Sequence, residues 1–217
     1  MDVDAVGLRV VGCLIEKQRT TPDAYPLSLN ALRAACNQST NRDPVVSYDE
    51  PTIRAALDRL SRLGWVRLAS GPGSRAAKYR HLLNDALNLT PDELSLLAVL
   101  MLRGPQTPGE LNQRTERLYP FGGLAAVEET LGRLAGRELV ARQERRPGQK
   151  EDRYAHLLGE DEPGAEAAVA AYVESPAAVS RGGDDVLAEL QSELEELRAE
   201  VTELRASIRE LGERLDG

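Results

Sequence analysis

Gly73-Ser74-Arg75-Ala76-Ala77-Lys78-Tyr79-Arg80-His81-Leu82-Leu83 returns 75 residues later as Gly148-Gln149-Lys150-Glu151-Asp152-Arg153-Tyr154-Ala155-His156-Leu157-Leu158. Glycine, tyrosine, histidine and the Leu-Leu pair keep register without a gap, which predicts an internal duplication. Working backwards, Ile53, Leu57, Leu60 and Val66 stand 74 residues before Val127, Leu131, Leu134 and Val140. Further back, Val10, Val11, Leu14, Thr21 and Pro22 stand 86 residues before Leu96, Leu97, Leu100, Thr107 and Pro108. The offset falls from 86 to 74, so the first copy carries 12 extra residues, placed around 23–25 and 40–47 as loop insertions.

Each copy opens on a helical pattern. Val3, Val6, Val10, Val11, Leu14 and Ile15 recur at three and four residues. In the second copy, Thr90-Pro91-Asp92-Glu93 combines a cap, a first-turn proline and a capping-box acid. Leu94, Leu97, Ala98, Met101 and Leu102 follow as an apolar face, and Arg103-Gly104-Pro105 ends it. A short second helix is expected after Ser28 and after Thr107, both good caps. A third is expected over 51–63 and 124–137, with Asp49 capping the first of these. Gly64 and Gly136 fall where a left-handed residue closes a helix. The period then shortens: 65–68 and 139–142 read as strands, Gly71-Pro72-Gly73 and Pro147-Gly148 as turns, and the Lys78-Tyr79 and Arg153-Tyr154 segments as return strands. Three helices and a hairpin make a winged helix-turn-helix unit. The repeated tyrosine and histidine are expected to pack rather than to bind a ligand.

The first copy also carries Glu16-Lys17-Gln18, Thr20-Thr21-Pro22, Tyr25-Pro26-Leu27-Ser28, Asn30, Ala35-Cys36-Asn37-Gln38 and Thr40-Asn41-Arg42-Asp43-Pro44-Val45. The second continues with a run from Leu102 through Gln106-Thr107 to Leu111, and Tyr154, His156 and Leu157 complete the set. Over residues 5–158 this resembles the YceH-like family of bacterial proteins. The resemblance implies a tandem winged-helix fold and brings no activity with it. Asn37, Gln38, Asn41 and Arg42 have two readings. They make a specific contact, or their amides and guanidinium hold the long loop before helix three by bonding its backbone.

Beyond Leu158, residues 159–185 are rich in Ala, Glu, Gly and Pro and predict a flexible linker. Over 186–217, Leu187, Leu190, Leu194, Leu197, Val201, Leu204, Ile208, Leu211 and Leu215 alternate steps of three and four, the signature of a coiled coil. In a parallel pair, Glu193 and Glu200 would face Arg198 and Arg205 of a second copy, so a parallel homodimer is expected. The expected layout is therefore a first winged-helix domain over 1–84, a second over 85–158, the linker, and the coiled coil. The fold class is α+β, mainly α.

The net charge of −8 conceals a split. Residues 1–158 hold 22 Lys+Arg against 19 Asp+Glu, whereas 159–217 hold 5 against 16. A body at +3 permits DNA binding, and the tail at −11 could weaken nonspecific contacts. The cations expected to meet DNA are Arg54, Arg59 and Arg62 on the first third helix, and Arg75 and Lys78 on the first wing, which also offers Arg80. Asn41 and Arg42 lie just before that helix, and the second wing offers Arg142, Arg145, Arg146 and Lys150. The second third helix instead begins with Glu128 and Glu129, which oppose phosphate.

Cys13 and Cys36 sit on apolar helix faces and are expected to be buried thiols rather than a disulfide. Neither they nor the two histidines have metal-ligand spacing, and no P-loop, dinucleotide fingerprint or nucleophile elbow occurs. No enzyme, cofactor or metal is expected, and with no secretory or membrane segment the default compartment is the cytoplasm. Two functions remain. One is a dimeric binder of double-stranded DNA acting in transcription regulation. The other is a non-enzymatic scaffold with a protein partner on the second domain, similar in architecture to segregation and condensation protein B.

Overall fold

A computed structural model describes residues 3–69, 77–143 and 151–159. The expected linker, the coiled coil and both hairpin turns lie outside them.

The chain is α+β and mainly helical, with two small antiparallel sheets. The first half contains α1 (Ala5–Thr20), β1 (Leu27–Ser28), α2 (Leu29–Cys36), α3 (Glu50–Arg62), β2 (Val66–Leu68) and β3 (Lys78–His81). A one-turn α4 (Leu83–Ala86) leads into the second half: α5 (Pro91–Arg103), α6 (Pro108–Arg114), α7 (Leu124–Gly136), β4 (Val140–Gln143) and β5 (Arg153–His156).

The helix starts follow local chemistry. Asp4, Ser28 and Asp49 each accept a hydrogen bond from the backbone N–H three residues on, at 2.9, 3.3 and 2.9 Å. Thr107 and Glu110 form a reciprocal capping box at 2.9 and 3.2 Å, and Glu93 accepts from the Thr90 N–H at 3.1 Å. Glu93 is itself buried, and Arg137 neutralises it at 3.1 Å, tying α5 to α7.

The two hairpins pair at corresponding positions. Val66 faces His81 in the first hairpin, and Val140 faces His156 in the second. Leu27 pairs with Tyr79 on β3, and an isolated bridge pairs Gln106 with Tyr154. Both histidines are buried, in keeping with a packing role.

Two details differ from the sequence reading. The counterpart of Thr107 is Ser28, 79 residues earlier, because both cap the second helix, and Leu32 and Leu111 follow them fully buried. Thr21-Pro22 instead begins a single 3-10 turn over Pro22–Ala24. The 12 extra residues thus divide into seven before α2 (86 to 79) and five before α3 (79 to 74). The second correction concerns Gly136, which is the last residue of α7 and is not left-handed. Glu138 takes that conformation, φ 55°, at the position where the first half has Gly64, φ 73°. A left-handed glutamate is strained, so Glu138→Gly should raise stability by about 0.5–1 kcal/mol after glycine's own entropy cost. Urea melts of the two proteins measure it.

The two halves share one core. Gly7 through Ile15 of α1 and Glu93 through Leu102 of α5 are all buried, and these helices form the largest interface between elements. A helix buried on every side needs apolar residues all round, which is why Leu94 to Leu102 is nearly continuous aliphatic sequence. Gly12 sets the spacing, since a Cβ there would lie 2.9 Å from Leu102 Cγ.

Candidate nucleic-acid interface

Helix α3 turns Ile53, Ala56, Leu57 and Leu60 inward, which leaves Arg54, Asp58, Arg59 and Arg62 on its exposed face. Arg54 is paired with Glu50 one turn back at 2.6 Å, both side chains about half exposed, and Arg59 reaches Asp4. Exposed pairs of this kind are worth about 0–1 kcal/mol, so they yield readily to a phosphate. Among the described residues, Arg62 forms no ion pair. Lys78 is exposed at the start of β3.

The hairpin adds Arg67, which the sequence reading missed, and sets it against Arg80 of the same wing. The Val66–His81 register places Arg67 directly opposite Arg80. Like charges on directly opposed residues destabilise a strand pair, and an anion between them would reverse the sign. One step forward from Val66 and one back from His81 finds this pair.

Asn41 and Arg42 do other work. The Arg42 side chain has no exposed surface. Its guanidinium donates to both carboxylate oxygens of Glu16 at 3.1 and 2.7 Å, to Gln38 Oε1 at 3.1 Å, and to the Ala35 and Asn41 carbonyls at 3.1 and 2.8 Å. Burial alone would raise the Glu16 pKa, but the Arg42 hydrogen bonds and charge hold it below the usual carboxylate range. Asn41 is left-handed at φ 60°, and its side chain accepts from Arg103 of α5. Asn37 exchanges hydrogen bonds with the Tyr48 backbone at 2.8 and 2.9 Å, Arg9 donates to the Pro44 carbonyl at 2.7 Å, and the Asp43 N–H donates to the Leu102 carbonyl at 2.9 Å. Loop 37–48 is thereby fastened to α1 and to α5. Of the two readings of this string, the structure supports the holding role, and a buried Arg42 cannot reach phosphate.

Beneath the same site, Cys13 and Cys36 are free, fully buried and in thiol–thiol contact. The bond to Cys13, then burial, pushes the Cys36 thiol well above its usual range. His81 lies under the hairpin, with Nε2 2.7 Å from Gln18 Oε1. Burial first, and then the Arg19 and Arg80 charges, push it down to about 4 despite a partial offset from Asp85. Because the folded state binds this proton more weakly than the unfolded state, stability is complete above about pH 6.5 and is lost as pH falls toward 4. Between pH 7 and pH 5 the loss from this group is about 2 kcal/mol. Urea melts at the two pH values measure it, and His81→Leu should flatten the difference.

In the second half, Arg142 is exposed and paired with Asp152. Arg75, Arg145, Arg146 and Lys150 lie outside the described residues. Among those described, no group of three or more His, Cys, Asp or Glu could hold a metal ion, and no helix is long and apolar enough to cross a membrane.

Residues 3–149 match the family described as a protein of unknown function, DUF480. The chain belongs to this family. A UPF0502 protein of Pelobacter propionicus is 51% identical over 188 residues, covering 86% of this chain and 85% of that protein. UPF0502 protein GSU0233 of Geobacter sulfurreducens is 52% identical over 164 residues, 74% of each chain. UPF0502 protein Acid345_3645 of Koribacter versatilis is 48% identical over 188 residues, 86% of each. These matches agree with the bacterial family suggested by the motif strings. DUF480 covers the helices of both halves and ends before β5.

Proposed function

We propose that each half is a winged helix-turn-helix domain, 1–84 and 85–158, and that the chain binds double-stranded DNA through the first. In this reading 159–185 is a linker and 186–217 a parallel dimeric coiled coil, and the dimer acts in the cytoplasm as a regulator of transcription. One observation carries the DNA assignment, the divergence of charge at matched positions of the repeat. Arg54, Arg67 and Arg80 of the first half correspond to Glu128, Ala141 and Ala155 of the second. Core positions are kept between the halves, and Arg59 and Lys78 keep cationic counterparts in Arg133 and Arg153, whereas Arg54, Arg62, Arg67 and Arg80 have none, which supports a role for these four beyond folding.

Helix α3 would enter the major groove with Arg54 and Arg62 toward the DNA, while Arg67, Lys78 and Arg80 take phosphates. Two-fold dimers read two related half-sites, so selection from a randomised duplex library should enrich a palindromic or repeated motif. Recovery of unenriched sequence would remove the regulatory role. The second reading, a protein-interaction scaffold, is favoured by Glu128 and Glu129 at the exposed start of α7.

A further inference from the structure

The second half has a cleft of about 430 Å³ at the start of α6 and α7, walled by Pro108, Leu124 and Tyr154. Among the described residues, Glu128, Glu151 and Asp152 line it as well, with Arg142, which is itself engaged by Asp152. Leu124 is 47% exposed at the mouth of the cleft.

The repeat supplies a comparison. Leu124 and Glu128 stand where the first half has Glu50 and Arg54, which neutralise each other at 2.6 Å. In the second half that pair is replaced by an exposed leucine and a carboxylate. Among the described residues, neither Glu128 nor Glu151 forms an ion pair. Apolar walls with unneutralised acids suit a side chain with an aliphatic stem and a cationic head. The same acids repel a phosphate backbone.

We propose that this cleft is a docking site for a basic protein segment, with an arginine or lysine next to an apolar residue. The cation meets Glu128 and Glu151, its stem lies along Tyr154 and Pro108, and the apolar neighbour covers Leu124. The site is separate from the DNA face of α3, so either assignment can fail without the other.

Panning a random dodecapeptide phage library against the full chain tests it. The enriched peptides should carry Arg or Lys beside Leu, Ile or an aromatic residue. A fluorescein-labelled peptide of that consensus should lose at least about tenfold in affinity with Glu128→Arg, and less with Glu128→Gln. Arg54→Glu should leave its affinity unchanged. Glu128 is exposed, and matched thermal melts confirm that each variant is folded. No enrichment, enrichment of acidic or uncharged peptides, or affinity indifferent to Glu128→Arg would overturn the proposal.

Discussion

Arg42→Ala should cost about 3–5 kcal/mol of folding stability, the range for removing one partner of a buried ion pair. The guanidinium makes five hydrogen bonds with no exposed surface. Its removal leaves Glu16, whose side chain is 14% exposed, with Lys17 at 3.4 Å as its one ion-pair partner among the described residues. It also strips the Ala35 and Asn41 carbonyls of a donor, at the point where α2 passes into loop 37–48. Domains of this size have about 5–15 kcal/mol in total, so the variant should lie near its threshold. Arg42→Lys should recover only part of the loss, because an ammonium cannot reproduce the planar fork that spans Glu16 and Gln38. Glu16→Ala should cost a similar amount, and the double variant much less than the sum. Urea denaturation of the four proteins measures these terms.

Arg54→Glu with Arg62→Glu should weaken DNA binding about 100-fold near physiological salt, since each lost arginine contact costs about 1–3 kcal/mol. The effect on folding should be small. Both side chains are exposed, and the repulsion between Glu50 and the carboxylate introduced one turn further on is worth about 0.2–0.5 kcal/mol. The matching substitution in the second half, Glu128→Arg, should not lower DNA affinity.

Helix and hairpin order were legible because their signals are local. Asp49, Ser28 and the Thr90–Glu93 box mark helix starts, and the shift to alternation at Val66 and Val140 marks the strands. What escaped depended on distant partners. β1 is two residues long and exists because β3 offers an edge to Leu27, so Tyr25-Pro26-Leu27 itself shows no alternation. Thr21-Pro22 carries the same local start signal as Thr107-Pro108. Ser28 was legible as a cap, but only the pairing of Leu27 and of Gln106 with the matched tyrosines aligns Ser28, rather than Thr21, with Thr107. Arg42 read as a surface cation because its carboxylate, Glu16, lies 26 residues away on another helix. The Arg67–Arg80 face was implicit in the repeat register and required following it across the turn.

The most direct measurement is fluorescence anisotropy of the full chain with a short mixed-sequence duplex over a salt series. Wild type should bind with an affinity that falls steeply with salt, and Arg54→Glu/Arg62→Glu should bind more weakly with a slope reduced by about two. Binding by wild type that is absent at low salt, or that the double reversal leaves unchanged, would contradict the assignment of α3 as the DNA-facing helix.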